Sequence, residues 1–193
     1  AINGGMIAYS NSIGGIEFGV GLGNGGTTSE ADETSYGVSY SSSVNGADVS
    51  LSYAAANTGA ANTAAASTDL TASSMTVGVT VGAVSIDMAQ NSSKADRNDD
   101  NSSATGFQDT KSTNFGVTYA VTDSLTLEAA SVAADGTFAS NTDYKYDESA
   151  YGISYAIASG LTLTASYSDF TQSGGGGTDV SGTGTTVKLA ISF

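Results

Sequence analysis

Three features predict an all-β chain: side chains that alternate with a period of two, connections that alternate short and long, and aromatics gathered on one face. Together they describe an antiparallel up-and-down β-barrel that crosses a membrane. The stretch 151–167, YGISYAIASGLTLTASY, shows the alternation. Tyr151, Ile153, Tyr155 and Ile157 fall on one side of a strand, and Gly152, Ser154 and Ala156 on the other. After a short turn, Leu161, Leu163, Ala165 and Tyr167 oppose Thr162, Thr164, Ser166 and Ser168. One face is greasy and the other carries hydroxyls.

The motif recurs. Tyr36-Gly-Val-Ser-Tyr40, Phe115-Gly-Val-Thr-Tyr119 and Tyr151-Gly-Ile-Ser-Tyr155 share the order aromatic, Gly, β-branched, hydroxyl, Tyr, and 16–22 and 75–81 are weaker relatives. Strands are expected near 5–11, 14–22, 35–43, 46–56, 73–82, 84–92, 112–121, 124–133, 147–157, 160–170 and 183–193, about eleven in all. Their lengths approach the 9–11 residues that a tilted strand needs to cross a bilayer. Turns of one or two residues at 12–13, 44–45, 83, 122–123 and 158–159 alternate with long Gly-, Ser-, Asn- and Asp-rich segments. Loops sorted by parity suit an up-and-down barrel with short turns at one end. Most acids are expected in the long segments, Glu33, Asp109, Asp135, Asp143, Asp147 and Glu148 among them.

Composition narrows the chemistry. Cysteine and histidine are absent from the 193 residues, which removes thiolate sites, imidazole metal ligands and Ser-His-Asp relays, so no enzyme is expected. Net charge is −14, with 19 acids against five bases, so no basic stripe exists for nucleic acid. Mean hydropathy is near zero (−0.03), and no apolar run approaches the ~20 residues of a membrane helix. AINGGMIAYS, at the start, has no charged n-region or apolar h-region, so no signal peptide is read there.

The polar strand face carries Ser50, Ser52, Gly78, Thr80, Gly116, Thr118, Thr162 and Thr164, not the Lys, Glu and Arg usual on a water-facing sheet. Small hydroxyls suit a lumen, where an inward-curving wall limits space. Parity puts Glu17, Asp48, Asp87, Glu128 and Lys188 on this face as pore-lining candidates, four acids against one base, which favours cations. Tyr9, Phe18, Tyr36, Tyr40, Tyr53, Phe115, Tyr119, Tyr151, Tyr155, Tyr167 and Phe193 fall on the greasy face and are expected to form aromatic girdles.

Two segments carry a family resemblance. The last strand, Thr186-Val-Lys-Leu-Ala-Ile-Ser-Phe193, resembles the terminal signature of bacterial outer-membrane barrels. Met6-Ile-Ala-Tyr-Ser-Asn-Ser-Ile-Gly-Gly-Ile-Glu-Phe-Gly-Val-Gly-Leu22 resembles the strand-turn-strand that follows the constriction loop of Gram-negative general diffusion porins. The resemblance implies a sixteen-stranded barrel, a homotrimer in outer-membrane lipid, and passive diffusion of small hydrophilic solutes and ions. It also implies that residues 1–193 are an incomplete porin β-barrel domain, with about five strands and the constriction loop upstream.

No cofactor is expected. Asp96, Asp99 and Asp100 offer oxygen donors for Ca²⁺, but the spacing and bidentate Glu of an EF-hand are missing, so solvated loop acidity is the first reading. GGGGTDVSG, 174–182, fits a calcium-binding nonapeptide only in part and occurs once. The alternative to a porin is an acidic secreted or cell-surface β-protein, an adhesin or surface-layer-like module, with its faces packed in a sandwich or solenoid.

Overall fold

The computed structural model describes residues 5–24, 32–59, 68–97, 107–138, 142–175 and 177–192. They form one sheet of eleven strands: β1 (Gly5–Ile13), β2 (Ile16–Asn24), β3 (Glu33–Val44), β4 (Ala47–Thr58), β5 (Thr68–Val81), β6 (Val84–Arg97), β7 (Phe107–Thr122), β8 (Leu125–Phe138), β9 (Asp143–Ala158), β10 (Leu161–Gly174) and β11 (Val180–Ile191). Spatial order follows chain order. The paired strands run antiparallel, as in the terminal hairpins. Among the described residues β1 and β11 each pair on one side only.

Two-residue turns close one end of the sheet: Gly14-Gly15, Asn45-Gly46, Gly82-Ala83, Asp123-Ser124 and Ser159-Gly160. Asn45 at φ 52° and Gly46 at φ 81° both occupy the left-handed region, the turn geometry whose twist matches a hairpin. Asp123-Ser124 manages without glycine. There the Thr122 hydroxyl accepts the backbone N–H groups of Ser124 (3.2 Å) and Leu125 (3.1 Å). Turn carbonyls also tie neighbouring hairpins together: Ala120 N–H donates to Ala83 O (2.9 Å), and Ser192 N–H to Gly160 O (2.8 Å). The connections at the other end are longer, so the expected parity of loop length holds.

Register puts directly opposed residues on one face. Val38 lies opposite Phe18 and Tyr53, and Ile153 lies opposite Leu127 and Ala165. The sheet curves away from this greasy face. In β3, Tyr36, Val38 and Tyr40 are exposed, whereas Ser35, Gly37 and Ser39 are half-shielded. Among the described residues no hydrophobic side chain is buried, and the sheet carries no second layer. The sandwich or solenoid packing of the alternative reading is therefore not what these residues form.

Several strands outrun expectation at the loop end. β7 and β9 each have 16 residues and begin at Phe107 and Asp143, where starts near 112 and 147 were expected. The convex face explains the miss, because its apolar character stops at an aromatic row. Beyond Phe115 come Thr113 and Lys111, beyond Tyr151 come Ser149 and Asp147, and beyond Tyr167 comes Asp169. Above that row both faces are polar, so the sequence loses its period-two signal while the backbone ladder continues. Glu33, Asp109, Asp135 and Asp143, outside the expected strands, stand on these strand extensions. There Lys111 and Lys145 both oppose Asp135, and Lys94 opposes Asp109.

Candidate pore wall

The concave face is built from small side chains because alternate positions of each strand are Ser, Thr, Gly or Ala. Their polar groups join across strands. Ser52 and Thr76 hydroxyls meet at 2.5 Å, Thr80 and Ser85 at 2.9 Å, and Ser93 and Thr110 at 2.6 Å. The Ser74 hydroxyl donates to Asn91 Oδ1 (2.7 Å), and Asn91 Nδ2 donates to Ser112 Oγ (3.3 Å). An open groove of about 830 Å³ runs along this wall from Ala8 and Ser10 on β1 to Ala134 on β8. With few long side chains in the way, the wall presents hydroxyls and backbone to whatever fills the hollow.

All five sequence-predicted pore-lining residues fall on this face by register. Glu17 opposes Ser39, Asp48 opposes Thr80, Asp87 opposes Gly78 and Gly116, Glu128 opposes Gly152, and Lys188 opposes Thr164. Asp48 and Asp87 share a hollow of about 480 Å³, with Ser50, Gly78 and Thr80 between them. Ser43 donates a short hydrogen bond to Asp48, and the tips of Ser50 and Asp87 close over Gly78: a Cβ there would lie 2.6 Å from Ser50 Oγ and 2.8 Å from Asp87 Oδ1, so both tips would have to turn aside. Glu17 lines a separate hollow with Ser39 and Ser52, Glu128 stands beside Gly152, and Lys188 sits on β11 at the sheet edge.

Sequence reasoning missed two residues here. Glu33 opposes Gly23, and Glu148 opposes Val132 and Phe170, all on the concave face. Carrying the parity of Tyr36 and Tyr151 past the aromatic row would have found both. Among strand residues with described side chains, the concave face thus bears the acids Glu17, Glu33, Asp48, Asp87, Glu128 and Glu148 against the single base Lys188.

The aromatic candidates lie on the convex face, with Tyr9 and Phe18 tilted together at 6.3 Å between centroids and Tyr36 and Tyr53 at 6.2 Å. Phe193 lies outside the described residues. So do Asp99 and Asp100, while Asp96 ends up near the tip of β6 rather than in a loop. Among the described residues no three acids are grouped to hold a metal ion.

Sequence comparison finds no matching family and no matching curated protein. Solved structures do match. The anion-selective porin from Comamonas acidovorans superposes with a TM-score of 0.68 at 16% identity, over 96% of this chain and 58% of that one. OccK10 (OpdN) of Pseudomonas aeruginosa gives 0.68 at 13% identity, over 97% of this chain and 61% of that one. OmpT of Vibrio cholerae, an outer-membrane protein in its trimer form, gives 0.60 at 15% identity, over 86% and 54%. The eleven strands have the fold of outer-membrane β-barrels, and the chain spans little more than half the length of the structures it matches.

Proposed function

We propose that this chain forms part of the wall of a water-filled channel in a bacterial outer membrane, through which small hydrophilic solutes and ions diffuse. One observation carries the proposal: the sheet has two opposed surfaces and no core. Among the described residues its convex face presents Val, Ile, Leu and aromatic side chains with no protein layer over them, and its concave face presents hydroxyls and carboxylates around an open groove. Lipid outside and water inside satisfy both surfaces. The convex tyrosines then serve as an interfacial girdle where the apolar band ends. The alternative surface module would need bulk water against the whole convex face, an apolar patch far larger than soluble monomers tolerate. No catalytic role is assigned, since Ser and Asp without histidine form no nucleophile-base pair.

The edges of β1 and β11 bear on the size of the barrel. Unpaired backbone is not tolerated in hydrocarbon, so these strands pair with further strands in the membrane. By resemblance to the general porins the complete barrel has about sixteen strands. The same resemblance, with the trimer form of Vibrio cholerae OmpT as a fold neighbour, supports a homotrimer. The intact mass of the natural polypeptide is expected to exceed 19.0 kDa substantially. A mature protein of that mass, monomeric in its barrel, would overturn this part.

Cation preference follows from the excess of acids on the concave face, whose field a low-dielectric wall focuses. The Comamonas porin is described as anion-selective, but at 16% identity the likeness is one of fold and its selectivity does not carry over to this chain. Combining Asp48→Asn, Asp87→Asn and Glu128→Gln is expected to lower the cation-over-anion permeability ratio of the full-length protein about two- to fivefold. The reversal potential across a planar bilayer in a salt gradient would measure it. A wild-type channel that prefers anions, or a ratio the variant leaves unchanged, would remove the preference.

A further inference from the structure

We propose that the loop end of the wall holds a binding site for small organic cations bearing a guanidinium group, built from Glu148, Tyr146 and Phe170. The proposal goes beyond diffusion by naming a solute class, and it rests on the concave face being in contact with water. Across most of that face side chains are small, but on β9 and β10 two rings stand together. Tyr146 and Phe170 have centroids 6.1 Å apart and planes within 24° of parallel. Phe170 lies directly opposite Glu148 on one side and Gly182 on the other. A Cβ on Gly182 would come within 2.9 Å of the Phe170 ring, so the bare backbone of β11 is what lets the ring lie back along the wall. Tyr146 Oη donates to Glu148 Oε2 at 2.8 Å, which holds the carboxylate beside the two rings.

A carboxylate adjoining a pair of nearly parallel rings suits a planar cation. Guanidinium stacks on aromatic faces and donates two parallel hydrogen bonds to a carboxylate. The Tyr146 hydroxyl occupies one position on Oε2 and leaves the other acceptor sites of Glu148 open. The acid excess of the wall raises the local concentration of cations before any contact forms. An aromatic ring over a glycine also shields exposed strand backbone, and that accounts for Phe170. It does not account for a second ring tied by its hydroxyl to a carboxylate next to the first.

The test is equilibrium dialysis of agmatine against the full-length protein in detergent, with maltose as a neutral competitor and single-channel conductance recorded in parallel. Glu148→Gln should weaken agmatine binding about tenfold. Phe170→Leu should weaken it about threefold, and maltose should not displace agmatine. Glu148→Gln keeps an oxygen for Tyr146, so its effect is not one of folding. Binding unchanged in both variants of a conducting channel sinks the site and leaves the channel reading standing, and displacement by maltose sinks it equally. Binding that falls as expected in a protein that conducts no ions sustains the site and sinks the channel.

Discussion

Lysine at Ile153 is expected to destabilise the folded protein by about 2–4 kcal/mol, and lysine at the neighbouring Ser154 by well under 1 kcal/mol. The two residues are adjacent in β9 and point to opposite faces. Ile153 lies between Tyr151 and Tyr155 on the convex face, opposite Leu127 and Ala165. Ser154 lies on the wall, opposite Thr126 and Thr164. Ile153 is 43% exposed within the chain. If water covered it, exchange for lysine would change stability by no more than about 0.5 kcal/mol. Lipid reverses that outcome, because an ammonium group in the middle of the apolar band must be desolvated or must snorkel away. Urea unfolding of the full-length protein from phospholipid vesicles would measure both variants. Near-equal, small losses would mean that the convex face does not meet hydrocarbon.

The second large effect concerns the turn between β9 and β10. Gly160→Ala is expected to cost about 3 kcal/mol, and Gly82→Ala about 1 kcal/mol. Both glycines have positive φ, +74° and +59°, so both variants strain the backbone. They differ in their surroundings. A Cβ on Gly82 would meet nothing within 4 Å, whereas one on Gly160 would lie 2.4 Å from the Ser192 carbonyl oxygen. That clash pushes against backbone, at the point where Ser192 N–H donates to Gly160 O at 2.8 Å. Relief would require the end of β11 to move away from the turn. The same unfolding measurement, with hydrogen exchange at Ser192 in both variants, separates the two contributions. Equal losses would show that φ alone sets the cost.

Much of this architecture was legible in the chain. The alternation in 151–167 placed Tyr151 and Ile153 on one face and Gly152 and Ser154 on the other, and the structure keeps them so. Short turns expected at 12–13, 44–45, 83, 122–123 and 158–159, set between long polar segments, announced hairpins in chain order; each turn falls within two residues of its expected place, and the sheet follows that order. Parity also put Glu17, Asp48, Asp87, Glu128 and Lys188 on a common face. The signal failed where its physical cause ended. Period-two patterning records two different environments on the two sides of a strand, so it vanished beyond Phe115 and Tyr151, where both sides are polar. The starts of β7 and β9 were lost with it, and so was the place of Glu148 among the wall residues.

What remained depended on register across strands, which no single segment encodes. Asp48 and Asp87 share a hollow because β5 brings Gly78 and Thr80 between them. Tyr146, Glu148 and Phe170 meet because β9 and β10 pair in one particular alignment, and Gly182 matters only because β11 pairs beside them. The strands, their two faces and the parity of their connections could be read from the chain alone, since each arises from neighbours a few residues apart. Which wall residues become neighbours could not, because cross-strand register is set by the whole ladder and its turns acting together.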